Sequence, residues 1–251
     1  VADLSAWQTA SGLDANSVSA NPLFAADTNL HANSPALDGQ ATPIASITLD
    51  IDGDIRDATN PDIGGDEFTV VPLAGGTYTI GGTNPDYPTI SDAVNDLKVK
   101  PISGPVSFNI RTGTYNEQVS IKAIYGASTT NTVTFQPETG VAVTMTYEPT
   151  YTNNYIVQFD GADYLTFKNM TFTATGTSYG RVFDFEDGSH YITLDSNVVN
   201  GISTTSTSDD LAVVHSMSGT ENDYITISNN EINNGSYGMC IYGSSMSNLE
   251  L

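Results

Sequence analysis

Basic residues are scarce in this 251-residue chain: seven Lys and Arg stand against twenty-nine Asp and Glu, a formal charge of −22. A surface that acidic repels phosphate backbones and anionic lipid, which argues against nucleic-acid binding and peripheral membrane attachment. Charged residues make up only 14% of the chain, below the roughly 25% of ordinary globular proteins. Thr, Ser and Asn must therefore supply much of the polar surface. The single cysteine, Cys240, permits no internal disulfide and leaves the redox compartment open. No apolar run approaches the roughly twenty residues of a membrane span, so membrane insertion is not expected. Apolar residues are not lacking, and at 39% they suffice for a core.

What the chain does contain is a repeat. Three segments align without gaps: Tyr164-Leu-Thr-Phe-Lys-Asn-Met-Thr-Phe172, Tyr191-Ile-Thr-Leu-Asp-Ser-Asn-Val-Val199 and Tyr224-Ile-Thr-Ile-Ser-Asn-Asn-Glu-Ile232. Val133-Thr-Phe135 and Leu249-Glu-Leu251 are fainter copies. With Val133, Leu165, Ile192, Ile225 and Leu249 as equivalents, the spacings are 32, 27, 33 and 24 residues. A second strand precedes each copy, ending at Phe159-Asp-Gly161, Phe185-Glu-Asp-Gly188, Met217-Ser-Gly219 and Ile241-Tyr-Gly243. Each unit reads as two or three short strands broken by Gly, Asn and Asp turns.

One such strand pair cannot bury its apolar side alone, so the units must stack as coils. Leu165, Ile192, Ile225 and Leu249 then share one interior column, and Phe167, Leu194, Ile227 and Leu251 the next. The pattern predicts an all-β fold, a right-handed parallel β-helix from about Pro105 to Leu251, with strands about 4.8 Å apart along the coil axis. An antiparallel sandwich would want hairpin turns in that register, and the turns here are not of that kind. Pro88-Thr-Ile-Ser-Asp-Ala-Val-Asn-Asp-Leu97 predicts a short N-terminal capping helix over about Thr89 to Lys98, with Ile90, Ala93, Val94 and Leu97 on one face. Such a helix covers the open sheet edge of a first coil that begins at Val106-Ser-Phe-Asn-Ile110.

Tyr78-Thr-Ile-Gly-Gly82, the capping helix, Gly104-Pro-Val-Ser-Phe-Asn-Ile110 and Gly113-Thr-Tyr-Asn-Glu-Gln-Val119 resemble the opening of secreted right-handed parallel β-helix proteins. These belong to the pectate-lyase-like superfamily, in the version carried by giant tandem surface proteins of Bacteroidota-type bacteria. Residues 1–67 resemble the closing part of such a domain, through Trp7, Gly12-Leu-Asp-Ala-Asn-Ser17, Asn21-Pro-Leu-Phe24, Ser34-Pro-Ala-Leu-Asp38 and Asp62-Ile-Gly-Gly-Asp-Glu-Phe68. The resemblance implies a tail followed by a head. Residues 1–67 would close one β-helix with Trp7 and Phe24 buried, 68–76 would be a junction, and 77–251 would open a second, truncated β-helix. It also implies a secreted, extracellular setting with neighbouring β-helix domains of the same chain as partners. The fold hosts many activities, so it does not choose among them.

The densest acidic cluster is Asp50-Ile-Asp-Gly-Asp54, followed by Arg56 and Asp57. Carboxylates at Asp50, Asp52 and Asp54 can converge on one hard cation, so Ca2+ is the candidate cofactor, although the helix–loop–helix calcium pattern is not met. The other reading is an Asp-rich turn with Arg56 neutralising its acids. Asp184, His215 and Ser216 suggest a triad by type, but strand parity argues against it. Val157, Phe183, His215 and Met239 fall in one column, and Gln158, Asp184, Ser216 and Cys240 in the opposite one. In that register no His or Arg joins Asp184, and no base reaches Ser216. His31 and His190 read as isolated surface residues. Tyr164, Tyr191 and Tyr224 form an outward column that could stack on sugar rings, or on itself. Asn169, Asn197, Asn229 and Asn230 mark a recurring turn where an amide ladder joins successive coils.

Two function classes follow. One is a non-catalytic stalk or adhesion module of a large secreted or cell-surface protein, with surface glycans as possible ligands. The other is a polysaccharide-active enzyme, or its carbohydrate-binding part, acting as lyase or esterase on acidic glycans. Gly113-Thr-Tyr-Asn-Glu-Gln-Val119 is similar to the opening of pectin methylesterases, but the Gln-Asp-Thr-type and Gly-Arg-Pro-Trp segments of those enzymes are missing. Lyases on this fold need a cationic base with Ca2+ or Arg on the uronate carboxyl. The three arginines, Arg56, Arg111 and Arg181, are not clustered by spacing.

Overall fold

The structure is a computed structural model and describes residues 4–24, 29–217, 219 and 221–243. Leu249 and Leu251, expected to continue the interior columns, lie outside the described residues. From Gly76 onward, apolar residues alternate with polar ones and the chain forms short strands that bury alternate positions. β1 (Gly76–Ile80) comes first. β2 (Val106–Ile110), β3 (Gly113–Asn116) and β4 (Val119–Lys122) make the first three-sided coil. β5 (Val133–Pro137), β6 (Val143–Tyr147) and β7 (Val157–Asp160) make the next, followed by β8 (Asp163–Lys168), β9 (Thr171–Ala174) and β10 (Phe183–Glu186). β11 (His190–Asp195), β12 (Val198–Asn200) and β13 (Val214–Ser216) precede β14 (Thr226–Ser228), β15 (Glu231–Asn233) and β16 (Met239–Ile241).

These strands build three sheets, ordered β1-β2-β5-β8-β11-β14, β3-β6-β9-β12-β15 and β4-β7-β10-β13-β16. The fold is a right-handed parallel β-helix of about five turns. Two interior columns match the expected ones. Val106, Val133, Leu165 and Ile192 stand in register, as do Phe108, Phe135, Phe167, Leu194 and Ile227. The three phenylalanines of the second column stack at 4.7 and 4.8 Å between ring centres. The parallel ladder begins one strand earlier than expected, because β1 already pairs with β2.

The helix Ile90–Val99 lies between β1 and β2 in the chain and buries Ile90, Ala93, Val94 and Leu97, as its spacing requires. Its start is a reciprocal cap: the Thr89 N–H donates to the Asp92 carboxylate at 3.1 Å and the Asp92 N–H to Thr89 Oγ1 at 3.0 Å. Glu117, from the turn between β3 and β4, accepts from the N–H groups of Ile90 and Ser91 at 3.3 and 2.7 Å. Two more orphan donors of the helix are thereby satisfied.

The chain divides into two compact units, residues 1–72 with 99–101 and residues 73–98 with 102–251. The first is organised differently from a β-helix. It holds a helix, Leu4–Ser11, that buries nothing, and an isolated bridge between Leu49 and Ile55. Trp7 and Phe24, expected to be buried against neighbouring coils, are 42% and 48% exposed in this unit. Carboxylates take over much of the work of a core. Asp62 is buried and accepts from the N–H groups of Gly39 and Phe68, both at 2.6 Å. Asp57 accepts from Asn60 N–H, Thr59 Oγ1 and Thr59 N–H, which holds its carboxyl down at about 2.

In the β-helix, the turns repeat as faithfully as the strands. Tyr164, Tyr191 and Tyr224 all adopt left-handed backbone conformations with φ of 55°, 55° and 56°. Asn169, Ser196 and Asn229 do the same one turn later, at 59°, 56° and 55°. The residue after them carries the amide ladder. Asn197 accepts from Met170 N–H at 3.0 Å, donates to Phe167 O at 2.9 Å, and its own N–H donates to Asn230 Oδ1 at 2.8 Å. The amide ladder runs through Asn197 and Asn230; Asn169 and Asn229 take the left-handed turn conformation, and Asn229 Nδ2 also donates to Asp195 Oδ1 on the preceding coil at 2.8 Å.

Adjacent residues at this turn should respond in opposite directions. Ser196→Asn places a residue that tolerates left-handed φ at an exposed position and should stabilise by up to about 1 kcal/mol. Asn197→Ala strands the Met170 N–H and the Phe167 carbonyl in the interior and should cost about 2–4 kcal/mol. Chemical denaturation of both variants measures the pair. Equal effects would show that the ladder does not bind the coils together.

Candidate functional site

A column of polar groups lies on the outer side of the sheet β4-β7-β10-β13-β16. There Ser120, Gln158, Asp184, His215 and Cys240 stand in register on five successive coils. This corrects the expected parity of β13 by one residue. Val214, not His215, pairs with Phe183, and Ser216 falls inward beside Phe185. His215 therefore meets Asp184, with Nδ1 2.6 Å from Oδ1, and both side chains are almost wholly buried at 4% and 3% exposure. Arg181 joins them, Nη1 lying 3.6 Å from the same Asp184 oxygen. The expectation that no His or Arg reaches Asp184 is overturned. The triad still does not form, because Ser216 Oγ donates to Tyr242 O at 3.2 Å and accepts from Asn222 Nδ2 at 3.1 Å.

A loop closes over this group. Ser208 caps a single 3-10 turn, Asp209–Leu211, with its hydroxyl accepting from Asp210 N–H. That turn sets Asp209 Oδ2 3.9 Å from His215 Nε2 and 3.8 Å from Arg181 Nη2. The imidazole is thus held between two carboxylates, with Arg181 bracing both. Beside Asp184, Glu186 has its carboxyl pushed up, first by burial and then by the negative charges of Asp184, Asp160 and Asp187. The arrangement orients an imidazole between two carboxylates. An open hollow of roughly 620 Å³ adjoins the loop, lined by Thr207, Ser208, Asp209, Tyr237, Cys240 and Tyr242 among others. Cys240, expected to point outward, is half-buried there.

The tyrosine column lies on the outer side of the sheet β1-β2-β5-β8-β11-β14. Its rings stack on one another, Tyr164 on Tyr191 and Tyr191 on Tyr224, both at 4.6 Å with planes within 5°. Each stack is worth about 0.5–1.5 kcal/mol, which offsets only part of the roughly 1–2 kcal/mol that a left-handed backbone costs each tyrosine. The facing ring surfaces are covered by this stacking, so a sugar would meet ring edges, hydroxyls and the two outermost faces. One residue earlier runs an alternating ladder. His190 Nδ1 lies 3.2 Å from Asp163 and Nε2 3.8 Å from Asp223.

The acidic loop at 50–54 is arranged around Asp50. Its Oδ1 accepts from the N–H groups of Asp52 and Asp54 at 2.9 and 2.8 Å, and Oδ2 from Glu67 N–H at 3.1 Å. Lost hydration opposes its charge, yet these amides prevail and hold the carboxyl below its usual value. Asp52 turns toward His31, with 3.3 Å between Oδ2 and Nε2, while His31 Nδ1 lies 3.8 Å from Asp66. Arg56 pairs with Glu67 at 3.5 Å and donates to the carbonyls of Gly64 and Asp62. Neither His31 nor His190 is isolated, contrary to expectation. Both sit between two carboxylates, and for His190 the coil spacing that aligns Asp163 with Asp223 is a usable signal in the sequence.

Comparison of the chain with family models, with curated proteins and with solved structures finds no match.

Glu186 allows a test of the acidic face. A carboxyl whose folded pKa is raised favours the protonated fold, so its contribution declines as pH rises from about 4.3 through the folded value. Glu186→Gln removes that repulsion. Its melting temperature should exceed that of the parent at pH 7.5, by about 2–4 °C for each kcal/mol relieved, and the gap should close near pH 4. A gap independent of pH would mean that charge is not its cause.

Proposed function

We propose that the chain is a non-catalytic stalk or adhesion segment of a large secreted or cell-surface protein, of the kind its pectate-lyase-like motifs resemble. The observation that supports this most is that outward side chains bond chiefly to the next coil. The tyrosines stack, Asn197 and Asn230 bridge, and His190 spans two aspartates. Such groups stiffen a rod rather than await a substrate. Further β-helix domains of the same protein are the proposed partners, and a surface glycan is the proposed ligand, held by the exposed edges of Tyr191 and Tyr224.

A second reading, a polysaccharide-active enzyme, draws on Arg181, Asp184 and His215. These are acid–base groups in contact, but Asp184 and His215 are enclosed and bonded to one another. Reducing-end and unsaturated-uronide assays on pectins, alginates and chitins, with and without calcium, separate the two readings. The stalk reading expects no turnover above background. Turnover by the parent chain that disappears in Asp184→Asn would overturn it and put the enzyme first.

A further inference from the structure

We propose that His31, Asp52 and Asp66 form a binding site for a divalent transition cation of the zinc class. Three separate segments of the first unit deliver these side chains, and one donor atom from each lies within 4.8 Å of the other two. The segments are fixed by their own backbone bonds. His31 N–H donates to Asn29 Oδ1 at 3.1 Å, and Ala32 N–H donates to Asp66 Oδ2 at 2.8 Å, leaving Asp66 Oδ1 toward the imidazole. Asp52 rides on the loop that Asp50 organises. The Asp50 carboxylate holds three amide N–H groups, and the side chain of Asp52 turns away from it to the histidine.

The donor set selects the ion. Imidazole nitrogen with two carboxylate oxygens suits zinc and its neighbours, whereas calcium takes six to eight oxygens at about 2.3–2.6 Å. Ligands about 2.0–2.2 Å from a tetrahedral zinc stand roughly 3.3 Å apart. The His31–Asp52 separation already has that value. Asp66 Oδ1 stands nearest the other ring nitrogen, Nδ1, so bringing all three donors onto one ion needs His31, 43% exposed, to turn or shift by more than about 1 Å. With three protein ligands and an exposed side, water completes the coordination. Metal binding takes the imidazole neutral and the carboxylates ionised, so protons compete with the ion and binding should weaken in acid.

The experiment uses the full chain after chelator treatment. Micromolar Zn2+ should raise the melting temperature by one-site mass action, and Co2+ should give a visible absorption band that Zn2+ abolishes. His31→Ala should weaken zinc binding by more than about tenfold in calorimetric titration, and His190→Ala should leave it unchanged. Millimolar Ca2+ should not displace Co2+. The proposal is overturned if the zinc response survives His31→Ala, which would mark diffuse binding by an acidic chain. It is equally overturned if the response follows His190, or if calcium displaces cobalt, which would return the loop to a site built from Asp50, Asp52 and Asp54. The cobalt band and its competition are read on the parent chain, so the result does not depend on any variant folding.

Discussion

Everything in the β-helix depends on one constraint: in a parallel coil stack, each residue lies about 4.8 Å from its equivalent on the next coil, so a column must tolerate its own kind. Apolar side chains do so readily. Phe108, Phe135 and Phe167 stack face to face and hand over to Leu194 and Ile227 as the column continues. Tyrosines do so by ring stacking, and asparagines by passing amide bonds along the axis. Even the strained turn residues obey it, since Tyr164, Tyr191 and Tyr224 share one unusual backbone conformation and hold it in common.

Charge is what this constraint tolerates least, and the chain has twenty-nine acids for seven Lys and Arg. The observed columns separate acids with something else. Asp163, His190 and Asp223 alternate, Lys168 stands beside Asp195, and Asp195 is followed by Ser228, whose hydroxyl donates to it at 2.8 Å. Asp184 lies between Gln158 and His215. One described column departs from this, where Lys122 pairs with Asp160 and Asp160 in turn lies beside Glu186. There the carboxyl of Glu186 is pushed up, burial adding to the repulsion of its neighbours. The histidines of the β-helix are thus drawn into carboxylate columns by the same rule that stacks the tyrosines.

The same rule governs how much of the molecule is legible in the sequence. The columns of Leu165, Ile192 and Ile225 are legible because stacking repeats the residue type at each coil. The helix at Ile90–Val99 is legible because Thr89 and Asp92 mark its start and its apolar spacing is regular. At β13 neither cue picks the register: Phe159 and Ile241 lie two residues before their glycines and Phe185 lies three, while apolarity favours Met217 as the partner of Phe185 and Ser216 takes that place. A serine in a phenylalanine column defeats a pattern based on apolarity, and a one-residue slip moves every side chain to the other face. That slip hides the contact of Asp184 with His215. In the first unit no periodicity exists to exploit, so nothing in the spacing of His31, Asp52 and Asp66 announces that they meet.

A functional site on such a scaffold has to break the ladder rule, because a group bonded to the coils above and below it has little left for a ligand. Asp184 and His215 do not break it. Their contact is an inter-coil bond like the others, sealed by Asp209 and Arg181. The first unit is free of the rule. Its carboxylates are placed by backbone amides rather than by stacking, which is how Asp50 comes to organise a loop that turns Asp52 toward a histidine. Opposed groups with unequal exposure then meet where no periodic neighbour neutralises them: Asp66 at 10% and His31 at 43%. Chemistry that depends on convergent, unlike ligands is therefore more at home in the irregular unit than on the regular one, whose repeating surface is suited to length and stiffness.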